Sequence, residues 1–113
     1  MPLKRVILEM GSGNDLHGSD YTKAAIRAVE DALHHSSLTM IRTLNINKND
    51  VKVDVTVGVQ KPNQVDIEAV KKILPVGTVS VSAVFGGLDV PDDERNDPAV
   101  IASAAIDVRL DLP

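Results

Sequence analysis

Residues 9–23 read EMGSGNDLHGSDYTK, and the side chains in that stretch that can do chemistry are Asp15 and His17, set among Gly11, Gly13 and Gly18. Two residues apart in extended backbone, an aspartate and a histidine point the same way. A carboxylate oxygen and an imidazole nitrogen are both good ligands for Zn²⁺ or a similar divalent ion. Two ligands make a poor site, so a third is sought among Glu9, Asp20, His34 and His35, in this chain or a neighbouring subunit. Glu9 and Asp20 are also the candidates for a general base. Gly11 and Gly13 would let the backbone turn tightly and leave room for a substrate. The competing reading is that Asp15 caps a turn and His17 hydrogen-bonds backbone.

Two further positions belong with this group. Lys61 sits between an alternating strand and Pro62, where a strand end beside a helix N-terminus can hold a phosphate or carboxylate. Asp89 follows Gly86-Gly87 directly off a strand, at the head of the acidic connection GGLDVPDDERNDP. The other acids of that connection, Asp92, Asp93, Glu94 and Asp97, lack EF-hand spacing and read as a solvated flap. Gly11-Ser12-Gly13 lacks a third glycine at the dinucleotide-binding spacing, so a Rossmann motif is rejected.

The elements that must position these residues follow from periodicity. KRVILEM, residues 4–10, reads as a strand ending at Gly11. From Thr22 the apolar Ala25, Ile26, Val29, Ala32 and Leu33 recur at helical spacing, with Ser19 or Asp20 as the cap. Leu38, Ile41 and Leu44 suggest a short docked segment. VKVDVTVGVQ, residues 51–60, places Val51, Val53, Val55, Val57 and Val59 on one strand face. A second helix is predicted from an Asn63 cap through Val70, Ile73 and Leu74 to Pro75 and Gly77. Residues 79–85 and 99–112 alternate again as strands. The order β-α-β-α-β-β predicts an α+β domain over residues 1–113: a four-stranded mixed sheet with two helices on one face. The other face would carry Thr56, Gly58, Ser80, Ser82, Ser103 and Ala105, too small for a solvent face and too polar for a core. A subunit interface accounts for them, so a homo-oligomer is expected, most simply a closed ring.

Composition narrows the function. Among 113 residues the aromatic content is 2%, Tyr21 and Phe85 alone, which argues against stacking as a recognition mode. A net charge of −4 with no basic cluster argues against nucleic-acid binding. The absence of cysteine excludes disulfides and thiolate chemistry. No apolar run approaches the roughly 20 residues of a membrane span, and the N-terminus lacks signal-peptide features. A cytoplasmic address and no membrane partner are therefore expected.

On the residues Gly11, Gly13, Asp15, His17 and Gly18, the whole chain resembles a family of small conserved hypothetical proteins marked by G-x-G-x-D-x-H-G. More distantly it is similar to methylerythritol cyclodiphosphate synthase, a zinc-dependent trimer, on the same motif and on Val53-Asp54-Val55-Thr56 with Lys61. That resemblance implies a Bacillus chorismate mutase-like fold, a metal held by Asp15 and His17, an anionic part of a substrate near Lys61, and active sites between the subunits of a trimer. This chain is about a third shorter than that enzyme and lacks the segment carrying its third metal-binding histidine. The leading expectation is a metal-dependent lyase or transferase acting on a small phosphorylated or carboxylated metabolite at a subunit interface. The alternative is a non-catalytic ligand-binding or scaffolding homo-oligomer.

Overall fold

The structure is a computed structural model that describes residues 3–34, 43–74 and 77–111. Its elements are β1 (Leu3–Asp15), α1 (Tyr21–His34), β2 (Val51–Val59), α2 (Ile67–Lys71), β3 (Thr78–Phe85), β4 (Leu88–Val90) and β5 (Ala99–Asp111), with 3-10 turns at Lys48–Asp50 and Pro62–Gln64. The sheet order is β1-β5-β2-β3, and the short β4 adds to β5 beyond the end of β2. β5 runs antiparallel to β1 and to β2, whereas β2 and β3 are parallel. The expected α+β architecture holds, with a fifth strand inside the acidic connection.

One sheet face is packed. The five β2 valines named above, with Val100, Ala102, Ile106, Val108 and Leu110 of β5, are buried under α1 and α2. Alternation along the strands makes this inevitable, because a period of two sends one apolar set to one side. α2 is a single short segment. Its cap is Asp66, whose Oδ1 accepts the Ala69 N–H at 3.2 Å, rather than Asn63, because Pro62–Gln64 forms a separate 3-10 turn. Leu44 is exposed rather than docked, and Leu38, Ile41, Pro75 and Leu112 lie outside the described residues.

The largest departure from expectation is β1, which runs through the glycines to Asp15 instead of stopping at Gly11. Gly11 and Gly13 lie within a strand, on the helix side. A Cβ on Gly11 would overlap the backbone nitrogen of Ala32 and carbonyl oxygen of Ala28, and one on Gly13 would overlap the backbone of Ala28 and Arg27. The glycines thus admit the backbone of α1 itself. The same approach changes which residues of α1 are buried. Ala24, Ala25, Ala28, Val29 and Ala32 are fully enclosed, while the larger Ile26 and Leu33 are displaced to partly buried flanks. Gly11→Ala should therefore force α1 off the sheet and lower stability by about 1–3 kcal/mol or more, read from urea unfolding. Ser12→Ala, one residue away on the opposite face, should change it by less than about 0.5 kcal/mol.

Candidate functional site

The residues singled out by type gather mostly at one end of the sheet, where β1 ends, α1 begins and the β3–β4 connection returns. Asp15 is the last residue of β1 and is only 3% exposed. Its Oδ2 accepts the Asp20 N–H at 3.0 Å, and its Oδ1 lies 3.7 Å from Lys23 Nζ and 3.8 Å from Arg27 Nη1. Lys23 and Arg27 are one turn apart on α1, so both reach back over the strand end. Arg27 Nη1 also donates to the Asn14 carbonyl at 2.7 Å. Asp20 caps α1 through Oδ1, which accepts the Lys23 N–H at 3.0 Å.

Between Asp15 and Asp20 the chain turns through Gly18 (φ +95°) and Ser19 (φ +49°). Gly18 is suited to that conformation. Its N–H donates to Asp97 Oδ1 at 2.8 Å, and His17 Nδ1 stands 3.5 Å from Asp97 Oδ2. His17 is largely exposed. The acidic connection is therefore tied to the motif by Asp97, although charge spacing alone reads it as solvated.

Asp89 and Tyr21 form the second buried contact. The Tyr21 hydroxyl donates to Asp89 Oδ2 at 2.6 Å, while Asp89 Oδ1 is buried without a hydrogen-bond partner. Burial, with the adjacent carboxylate, pushes the Tyr21 hydroxyl up from 10.0 to about 12. The loop after β2 closes the same end. Gln60 Nε2 donates to the carbonyls of Gly86 and Gly87, and the Thr22 hydroxyl donates to the Gln64 carbonyl and accepts the Asp66 N–H. Lys61 is exposed at the start of that loop. Glu9 is not part of the cluster, since six residues along a strand separate it from Asp15 by about 20 Å.

The fit to a divalent ion is decided by Asp15. A metal ligand needs lone pairs facing the ion, and here Oδ2 is engaged by a backbone N–H while two cationic side chains stand within ion-pair distance of Oδ1. An ion would have to displace Lys23 and Arg27 from a nearly buried carboxylate. Among the described residues no three His, Cys, Asp or Glu side chains are grouped to hold a metal ion, and His35 lies outside them. The donor set of the described residues does not fit. The residues that periodicity and motif reading missed are Lys23, Arg27, Tyr21 and Asp97. The i,i+4 pair of basic residues following a buried acid was a usable signal, whereas the Asp97 contact spans 79 residues and had none.

Two outcomes follow. Added Zn²⁺ should leave the melting temperature unchanged, and Asp15→Asn should lower stability by roughly 1–3 kcal/mol with or without metal, through the loss of charge-assisted contacts. A zinc-dependent rise in melting temperature that Asp15→Asn abolishes would contradict this. Tyr21→Phe should also destabilise, by about 1–3 kcal/mol near neutral pH, because it strips Asp89 of its hydrogen bond. Because the folded-state pKa is raised, that contribution is fully present below about pH 10 and is lost as pH climbs from about 10 to about 12. The gap between wild type and Tyr21→Phe in urea unfolding should narrow over that interval.

Comparison with known proteins places the chain. No curated protein matches it. A crystal structure described as an FtsZ-like protein of unknown function from Nostoc punctiforme matches with a TM-score of 0.84 and 35% sequence identity, covering 99% of each chain. Residues 5–108, which include the whole Gly11–Gly18 motif, match the model of a conserved hypothetical protein family. The chain belongs to that family, the Lin0512 family of conserved hypothetical proteins.

Proposed function

We propose that this protein is a non-catalytic, self-associating scaffold whose subunits meet through the open face of the sheet. The observation that carries the reading is the arrangement of that face in rows across the strands. Register places Arg5, Arg109, Lys52 and Thr78 in one row and Leu8, Asp107, Asp54 and Ser80 in the next. Beyond them come Met10, Ala105, Thr56 and Ser82, then Ser12, Ser103, Gly58 and Val84, and finally Asn14, Ile101 and Leu88. Every charged residue is thus at one end, and the rest of the face is small or apolar.

Most of the exposed large apolar side chains of the described residues lie here. Leu8, Met10, Val84, Leu88 and Val90 are 43–67% exposed on this one side. Scattered exposed leucines need no explanation, but a contiguous patch does. The footprint of four strands over nine residues, roughly 19 by 30 Å, is on the order of 600 Å². With the β4–β5 extension it approaches the ~800 Å² per partner of a stable interface. The patch is hollowed by a concavity of ≈ 690 Å³ bounded by Met10, Ser12, Thr56, Val84 and Ser103, with Asp31 of α1 at its β1 edge, which gives room for the larger side chains of an opposing copy.

The charged rows make the rim. Partial burial alone would raise the Asp107 carboxyl, but hydrogen bonds from Arg5 at 3.0 Å and Arg109 at 3.3 Å outweigh it and hold it below the usual range. A polar rim around an uncharged centre is the anatomy of a protein–protein interface. A lyase or transferase reading would instead need Asp15 freed from its two cations. Sedimentation equilibrium should give a mass that is a multiple of 12.1 kDa. Met10→Arg, placed at an exposed position mid-patch, should weaken association at least about tenfold by burying an unpaired charge while leaving the monomer folded. A wild-type chain that sediments as a monomer at every accessible concentration would refute the proposal.

A further inference from the structure

We propose that the outer edge of β3 is a second, separate docking surface, and that its occupant is β3 of another copy of this chain, paired antiparallel so that the sheet continues from subunit to subunit. This does not rest on the sheet-face reading, because the edge and the face are different surfaces.

The two edges of the sheet are treated differently. On β1, two backbone groups near the end of the strand are engaged by side chains of α1. Asp31 Oδ2 accepts the Ser12 N–H at 2.9 Å, and Arg27 Nη1 donates to the Asn14 carbonyl at 2.7 Å. β1 also carries a register shift between Arg5 and Ile7 and the charges of Lys4, Arg5 and Glu9. Coverage, an irregularity and charge are the means by which edges avoid pairing with another chain.

Among the described residues β3 has none of them. TVSVSAVF contains no charge and no proline, its register with β2 is unbroken from Thr78 to Phe85, and among the described residues its backbone pairs with β2 alone. The strand is also incompletely covered on its packed side. Val79, Val81 and Ala83 are only half-buried and no residue of β3 is fully buried, whereas the β2 valines beside them are at most 1% exposed. A neighbouring strand is what those half-covered side chains lack.

Self-pairing is the arrangement this sequence fits. A two-fold axis perpendicular to the sheet keeps the helices of both copies on one side, so paired residues must differ by an even number. An axis through Ser82 sets Ser80 against Val84 and Val79 against Phe85. Phe85, the chain's one phenylalanine and 74% exposed, then gains a β-branched neighbour on its own face. Uncharged β-rich segments pair with their like, and an isologous contact needs only one such surface.

The test combines amide exchange with mass. In assembled wild-type protein, consecutive amides from Val79 to Val84 should all be protected, with the outward-pointing alternate ones slowed at least about tenfold relative to dilute monomer. Val81→Lys puts a charge on the packed side of the edge, away from the open face, and should halve the assembled mass while leaving association that Met10→Arg disrupts. A folded Val81→Lys protein with wild-type mass would overturn the inference, and so would alternate β3 amides exchanging at unprotected rates in the assembled wild type. If Val81→Lys fails to fold, the wild-type exchange pattern decides alone. Loss of assembly in Met10→Arg with β3 protection intact would leave this edge contact standing, and the reverse result would leave only the sheet-face contact.

Discussion

The approach of α1 to β1 at Gly11 and Gly13 is the constraint from which much of the rest follows. With no Cβ on the strand, the helix backbone lies directly on it, and only alanine fits between helix and sheet along that line. A core of alanine and valine gains less per residue than one of leucine and phenylalanine, since stabilisation follows the apolar area removed from water. Close packing partly offsets this, because dispersion contacts are lost steeply with any gap. The same approach brings Lys23, Arg27 and Asp31 of α1 within reach of the end and edge of β1, where they engage Asp15 and the strand backbone.

The D-x-H-G motif is then part of a joint between strand and helix. Asp15 takes one bond from the backbone that starts α1 and two ionic contacts from its first turns, while Gly18 and His17 hold Asp97 of the long connection. Tyr21, the first residue of α1, ties β4 to the same corner through Asp89. These contacts give a buried carboxylate the partners it requires. What they leave over is surface: a sheet face and a strand edge that no described residue covers.

Much of this architecture was legible in the chain. The five alternating valines of β2 and the matching set in β5 could only be strands buried on one side, and the small residues between them marked the opposite face as unusual. The less legible part lay where a local signal has two physical meanings. Glycine between Met10 and Asp15 reads as a turn because glycine permits turns, yet here its value is the missing side chain. Asp15 and His17 read as metal ligands because their types and spacing suit a metal, yet nearby cations and a distant carboxylate engage them. Asp66 displaced Asn63 as a helix cap because a 3-10 turn after Pro62 intervened.

By itself the sequence determined the alternation that builds the sheet, the helical stripe that covers it, and the absence of cysteine and of a basic cluster. These depend on periodicity and composition, which are local. Only the tertiary structure decided that the glycines face a helix, that Asp15 is neutralised by Lys23 and Arg27, and that Asp97 reaches the motif across 79 residues. It alone also distinguished the β1 edge, which side chains of α1 contact, from the β3 edge, which among the described residues pairs with β2 alone. Each of these depends on which element lies beside which, a long-range geometric fact that no short stretch of residues contains.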